Sequence, residues 1–241
     1  FRWAAAELYV TTRRDSFVAR VDPLAGTATV PEWPNVGTMG VISLAAHRAA
    51  LTPVVDTARV REALVGLAEE LVGSREASAY DVVMGVTAGD FVWGSNAVAA
   101  NQGMVLVQAY RLTGDRAYLD AALSNLDYLL GRNPTGYSFL TGFGSKTPLH
   151  PHHRPSEADA VAEPVPGFLV GGPNPSQQDR RQAGCEQYPS ELPALSYLDH
   201  VCSYASNEVA INWNAPLVYL TGAIEALLSP TGLPAGVPGR P

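Results

Sequence analysis

Two carboxylates near the C-terminal end of the sequence are well suited to acid–base chemistry. Asp199 and Glu208 lie nine residues apart among aromatic side chains, and Glu208 lies at the start of an apolar run typical of a helix. Partial burial favours the protonated form of a carboxyl group, which is the form that a general acid needs. Alternatively, Glu208 occupies the first turn of that helix, where the dipole favours acidic residues. The spacing alone leaves both interpretations open.

A second group of polar side chains lies about fifty residues upstream. His150, His152 and His153 place three of the five histidines within four positions, and Arg154 follows directly. The group can be a solvated loop, a zinc site, or a clamp whose imidazole and guanidinium donors bind an anion or sugar hydroxyls. A zinc site is disfavoured, because no Cys stands near these histidines in the sequence.

Helical periodicity dominates the elements that must position these residues, and strand-like alternation is scarce, so we predict an all-α chain. Gly114-Asp115 combines a C-cap glycine with an N-cap aspartate, which predicts a tight αα-hairpin. The predicted helices cover residues 1–12, 15–21, 37–50, 56–72, 95–112, 115–130 and 207–228.

Residues 133–206 break this periodicity. Pro, Gly, His, Ser and Asn crowd together there, and so long an irregular segment within a compact domain indicates a functional surface. The two cysteines, Cys185 and Cys202, both belong to this segment. They can form one disulfide bond or none, and their spacing does not decide between these.

Composition excludes several classes of protein. The 241 residues carry a formal net charge of −7 and no polybasic run, so a nucleic-acid partner is not expected. Every long apolar stretch is interrupted by a charged residue before it reaches eighteen residues, so no membrane span is predicted. The chain begins inside a helical pattern without Met or a cap, so we expect the true start to lie upstream, and no signal peptide is visible.

The two polar segments resemble the two signature regions of glycoside hydrolase family 9, the cellulase family of inverting β-1,4-glucanases. The first signature is matched by Ser138, Leu140, Thr141, Gly144, Lys146, His152 and Arg154. The second is matched by Tyr197, Asp199, Tyr204, Glu208, Ala210, Asn214 and Ala215. The resemblance covers residues 1–229, leaves a Pro/Gly-rich tail at 230–241, and is strongest to members with an immunoglobulin-like module before the catalytic barrel.

This resemblance implies that the chain is the C-terminal half of an (α/α)6 barrel with a long active-site loop region. It makes Glu208 the general acid and places Asp199 and His152 in the shell that supports this acid. Arg154, Trp213, Tyr204 and Trp93 become substrate-binding candidates. From the residues alone, Trp213 is more typical of the core than of a cleft, and Tyr204 carries the same ambiguity. A tryptophan in the position of Trp93 is at least as often a helix-packing residue as a stacking surface for a sugar.

An inverting hydrolase also needs a base, which this family takes from an Asp-Ala-Gly-Asp segment far upstream. Thr87-Ala88-Gly89-Asp90 imitates that segment, but Thr87 replaces its first Asp and the segment precedes Trp93, which belongs to the later half. We therefore expect Asp90 not to be the base. The implied partner is the missing N-terminal half of the barrel, from the same gene or as a separate chain.

The implied substrate is a β-1,4-glucan or a cello-oligosaccharide. Three alternatives stay open: an exo-acting glucosidase or glucosaminidase of the same family, a sugar-binding or inactive truncated remnant, and a helical interaction scaffold. The chemistry requires no cofactor. The resemblance also implies a structural calcium ion at a site that lies mostly upstream of this chain, with Asp159 at most as an extra ligand. Secretion is expected if the substrate is a polymer.

Overall fold

The computed structural model describes residues 1–228, and within them the chain forms helices and loops without a regular strand. Short 3-10 turns cover Arg48–Ala50, Ala88–Asp90 and Pro193–Leu195. The α-helices are α1 (Arg2–Thr12), α2 (Ser16–Arg20), α3 (Gly37–Ala46), α4 (Thr57–Glu76), α5 (Ser95–Thr113), α6 (Arg116–Leu129), α7 (Arg154–Ala158), α8 (Tyr204–Asn207) and α9 (Ile211–Leu228).

Polar caps set the ends of the long helices. The Asp56 side chain accepts the backbone N–H groups of Ala58 and Arg59 at the start of α4. Asp115 does the same for Ala117 at the start of α6, and Gly114 ends α5 with a positive φ of 75°. The predicted αα-hairpin between α5 and α6 is therefore confirmed.

The core is built around α5, which packs against α4, α6 and α9. Small side chains allow the close approach: a Cβ added to Gly103 would lie 2.7 Å from a methyl group of Leu220 on α9. A second apolar cluster joins α1 and α3 to the start of α4 and includes Tyr9, Leu44 and Leu64. The buried α5 fixes the position of its own N-terminal turn, at residues 93–96.

Three of the predicted boundaries were wrong. The helix expected at 207–228 begins at Ile211, because residues 208–210 are extended and Val209 bridges to Val170. The helix expected at 37–50 ends at Ala46, and a 3-10 turn follows. The helix expected at 56–72 continues to Glu76, and α7 and α8 were not predicted. Residue 229 and the predicted tail at 230–241 lie outside the described residues.

The long irregular segment is held together by non-local contacts. A disulfide bond joins Cys185 to Cys202, which settles the question left open by their spacing. Isolated bridges connect Leu140 with Leu169 and His152 with Glu208. These ties bring the two signature segments against the start of α5. No helix in residues 1–228 is both long and apolar enough to cross a membrane.

Candidate active site

Glu208 lies in extended backbone directly after α8, with φ −68° and ψ 155°. Its carbonyl oxygen accepts the N–H of Gly171 at 3.0 Å, and it bridges to His152. These cross-segment bonds keep residue 208 out of the helix. The alternative that placed Glu208 in a first helical turn was therefore wrong, because α9 starts three residues later.

The carboxyl group of Glu208 has one indole partner. Nε1–H of Trp93 donates to Glu208 Oε2 at 3.3 Å. An indole nitrogen can only donate, so Oε2 is the accepting oxygen, and a proton on this carboxyl group would sit on Oε1. The half-buried Glu208 can thus present a proton in one defined direction.

Aromatic rings stand beside this carboxyl group. The rings of Trp93 and Tyr204 lie 5.3 Å apart, and the imidazole of His152 lies 6.2 Å from Tyr204. The Tyr204 hydroxyl donates to the carbonyl of Gln178 at 3.0 Å. Trp93 is 44% exposed, so it keeps ring surface on which a pyranose could stack.

Trp213 has a different environment from Trp93. It is only 7% exposed and lies beneath Gly94, where an added Cβ would be 2.6 Å from the Trp213 Nε1 atom. Gly94 also has a positive φ of 83°, so a side chain there would be strained as well as crowded. The structure therefore places Trp213 as a support under the turn that carries Trp93, with little surface left for a sugar.

His152 is held by backbone groups on the acid-bearing segment. Its N–H donates to the carbonyl of Asn207 at 2.8 Å, and its Nδ1 contacts the carbonyl of Val201. A carbonyl oxygen can only accept, so Nδ1 carries a proton and Nε2 is the accepting nitrogen of the neutral ring.

Asp199 is bonded to the histidine segment. Its oxygens accept the backbone N–H groups of Leu149 at 2.8 Å and His150 at 2.9 Å, and the Asn207 side-chain amide at 3.1 Å. Asn207 was not among the predicted residues, yet its amide also donates to the His150 carbonyl at 2.7 Å. Asp199 therefore anchors the two signature segments to each other.

Arg154 is exposed at the start of α7 and pairs with no carboxylate in the part of the chain that the structure describes. A guanidinium presents five N–H donors in a planar fork, which suits a ligand rich in hydroxyl groups. Its role as a substrate contact stays a prediction.

Two further carboxylates make only local bonds. Asp90 accepts the N–H of Thr87 at 2.9 Å within a capping box. Asp159 accepts the N–H of Val161 at 2.9 Å. Across residues 1–228, no three His, Cys, Asp or Glu side chains converge as metal ligands, and the structural calcium ion stays a prediction.

A buried polar cluster lies behind α8, and the sequence analysis missed it. Asp179 is fully buried and accepts hydrogen bonds from the Tyr188 hydroxyl and from the N–H of Ala205, both at 2.7 Å. Burial, above all, raises the pKa of Tyr188 to about 12, so the phenol stays protonated as a donor. Arg180 and Arg181 follow Asp179 in the sequence, and that context is typical of a solvated surface.

Comparisons with known proteins show what this chain is similar to. The model of glycosyl hydrolase family 9 matches residues 1–221. A xyloglucan-specific endo-β-1,4-glucanase from Bacteroides ovatus is 41% identical over 94% of this chain and 38% of its own length. A cellulose 1,4-β-cellobiosidase from Acetivibrio thermocellus is 30% identical over 96% of this chain and 29% of its own length.

A solved family 9 structure from Bacteroides ovatus superimposes with a TM-score of 0.83 at 39% identity, over 94% of this chain and 39% of that chain. This match confirms the predicted all-α barrel fold. The chain spans about two fifths or less of the length of these relatives.

Proposed function

Because this chain belongs to glycosyl hydrolase family 9, we propose that it carries the general acid of an inverting hydrolase of β-1,4-glycosidic bonds. The substrates are cellulose or cello-oligosaccharides. The observation that carries the proposal is the Glu208 carboxyl group, which is held beside two aromatic rings with Oε2 bonded to Trp93 and Oε1 left to deliver a proton.

In the proposed reaction, water attacks the anomeric carbon on the face opposite to the leaving group. A base removes one proton from that water as the new C–O bond forms. Glu208 gives its proton to the glycosidic oxygen as the old C–O bond breaks, so the departing sugar leaves as a neutral alcohol. Inverting enzymes separate the two carboxyl groups by roughly 6.5–9.5 Å to make room for the water.

We place the base outside this chain. Both oxygens of Asp199 accept backbone N–H groups of the histidine segment, and Asp90 closes the local capping box at Thr87, so we assign neither carboxylate as the base. The base therefore comes from the part of the catalytic domain that precedes the matched region in the relatives, in the same gene product or in a second chain.

An exposed apolar stripe on α9 supports this partner. Ile211 is 90% exposed and Val218 is 69% exposed, and both lie on one face of the helix. The small residues Ala215, Gly222 and Ala226 continue this face at helical spacing. Such a stripe suits packing against the remaining helices of the barrel, which would remove it from water.

The substrate class follows from the chemistry around Glu208. Trp93 and Tyr204 offer ring surface to glucose units, while His152 and Arg154 offer nitrogen groups to hydroxyls. The names of the two relatives describe action on xyloglucan and on cellulose, which share a β-1,4-linked glucose backbone. We propose that this backbone is what the site recognises. Endo or exo action depends on loops of the complete domain.

The disulfide bond between Cys185 and Cys202 supports a secreted protein. Disulfide bonds persist in oxidising compartments and are rare in the cytosol. Secretion also agrees with a polymeric substrate that cannot enter a cell.

Hydrolysis by a completed barrel tests the proposal. The chain would be joined to the segment that precedes the matched region in the Bacteroides ovatus relative. We call this joined protein the complete domain. We expect reducing-sugar release from amorphous cellulose and cellotetraose by the complete domain and none by the chain alone, because the chain lacks a base.

Two results would contradict this expectation. Turnover by the chain alone, abolished by Asp90→Asn, would make Asp90 the base. Binding of cellotetraose by a folded complete domain that never hydrolyses it would instead identify a sugar-binding protein.

Replacing Trp93 tests whether the indole N–H directs the acid. Trp93→Phe keeps a ring against Tyr204 but removes the donor to Oε2. We expect kcat on cellotetraose to fall about 10-fold, the scale of one hydrogen bond to an ionisable group, with KM nearly unchanged. Turnover of 2,4-dinitrophenyl β-cellobioside, whose leaving group needs no proton, should change little.

The matched control is Tyr204→Phe, which removes a hydroxyl that bonds to Gln178 but leaves Glu208 and its indole partner intact. This variant should leave the ratio of cellotetraose turnover to 2,4-dinitrophenyl β-cellobioside turnover unchanged. A higher KM without loss of kcat in Trp93→Phe would leave Trp93 only its stacking role and would contradict its role toward Glu208.

A further inference from the structure

We propose that the buried Asp179 is a positioning residue for the general acid. Its carboxylate holds the one-turn helix α8, from which Tyr204 and Glu208 are placed. This inference rests on the proposed function of Glu208 as the acid.

The environment of Asp179 is unusual for a carboxylate. The side chain is fully buried, and the structure shows it no ion pair within residues 1–228. The adjacent Arg180 is paired with Glu191 at 2.6 Å instead. Burying a carboxylate without a cation is costly, so a gain in stability does not by itself account for this residue.

Its two hydrogen bonds point to a specific task. One oxygen accepts the N–H of Ala205, the second residue of α8, and the other accepts the hydroxyl of Tyr188. A helix of four residues has almost no cooperative stability, so the N–H groups that lack a partner within the helix need partners elsewhere to hold it in place. The Ser203 side chain provides one partner and Asp179 provides another.

The same cluster continues through hydroxyl groups toward the acid. The Tyr188 hydroxyl lies 2.9 Å from Ser203 Oγ, which lies 2.8 Å from Ser206 Oγ. The carbonyl of Ser206 accepts the N–H of Gly172 at 2.8 Å, two residues before Glu208. Asp179 thus fixes one end of α8, and backbone bonds fix the other.

Loss of the hydrogen bonds to Asp179 would shift the position of the Glu208 carboxyl group without removing it. Glu208 follows α8 directly, so a shift of the helix displaces the carboxyl group relative to the glycosidic oxygen. Misplacement of a catalytic group by about 1 Å can cost on the order of 100-fold in rate. The cost falls mainly on proton delivery, because Tyr204 moves with α8 but the larger aromatic surface of Trp93 lies on a different segment.

The test compares two substrates in the complete domain. For Asp179→Asn we expect kcat on cellotetraose to fall by about 10- to 100-fold with KM changed less than about threefold. Turnover of 2,4-dinitrophenyl β-cellobioside should fall far less, because dinitrophenolate departs without a proton. Ser203→Ala weakens α8 without changing the buried carboxylate of Asp179. It should also lower turnover of cellotetraose more than turnover of 2,4-dinitrophenyl β-cellobioside.

Asp56→Ala is the matched control, since Asp56 also accepts two backbone N–H groups at a helix start but lies on α4, away from the acid. It should lower the unfolding temperature and leave the ratio unchanged. Equal loss on both substrates in Asp179→Asn and Ser203→Ala would overturn the positioning role. Equal loss of turnover on both substrates in Glu208→Gln would instead overturn the proposed function itself.

Discussion

Glu208→Gln should lower turnover of cellotetraose by the complete domain by about 10²- to 10⁴-fold, the usual contribution of a general acid. The amide has the shape of the carboxyl group, and its oxygen can still accept the Trp93 N–H, so the surrounding contacts survive. What disappears is the proton for the leaving oxygen. Initial rates measured by reducing-sugar release give the size of this loss.

The choice of leaving group separates lost chemistry from lost structure. With 2,4-dinitrophenyl β-cellobioside, Glu208→Gln should retain activity to within about tenfold, because dinitrophenolate needs no general acid. Asp90→Asn is the matched carboxyl control and should leave both activities near wild type, since Asp90 serves a local capping box. If Glu208→Gln lost both activities equally, Glu208 would not be the acid.

Removing the disulfide bond should have the largest effect on stability. The bond joins Cys185 and Cys202, whose sequence separation is 17. Loops of this length restrict the unfolded chain enough for a stabilisation of about 3 kcal/mol. The double variant Cys185→Ala with Cys202→Ala should therefore lose about 3 kcal/mol in the free energy of unfolding, measured by denaturant titration of the complete domain.

Reduction provides the control for this experiment. Dithiothreitol should shift the denaturation midpoint of the wild-type protein toward that of the double variant and leave the double variant unchanged. Equal midpoints for the oxidised wild type and the double variant would show that the bond does not stabilise the fold. Cys202 lies between Asp199 and α8. We therefore also expect the double variant to lose turnover of cellotetraose at denaturant concentrations at which the wild-type protein is still folded.

Much of the framework could be predicted from local sequence. The cap residues Asp56 and Asp115 and the glycine at position 114 act on groups a few residues away, so their effect is visible in the sequence itself. The family resemblance rested on two long motifs, and the family model confirms it over residues 1–221. The roles of the individual site residues stay predictions for the experiments above.

The arrangement of the site depends on contacts that local patterns do not contain. Trp93 and Glu208 are separated by 115 residues, and Asp179 and Ala205 by 26, yet each pair shares a hydrogen bond. The extended backbone at Glu208 overrides an apolar pattern that favoured a helix, because bonds to Gly171 and Val170 compete with helical ones.

Residue type and spacing therefore decide which helices form and which side chains are capable of acid chemistry, because those depend on neighbours along the chain. Which oxygen of Glu208 is free, which tryptophan faces the site and which aspartate is buried depend on distant segments that meet only after the helices pack. Burial and hydrogen-bond partners are properties of the packed molecule, and the same residue types would behave differently elsewhere in it.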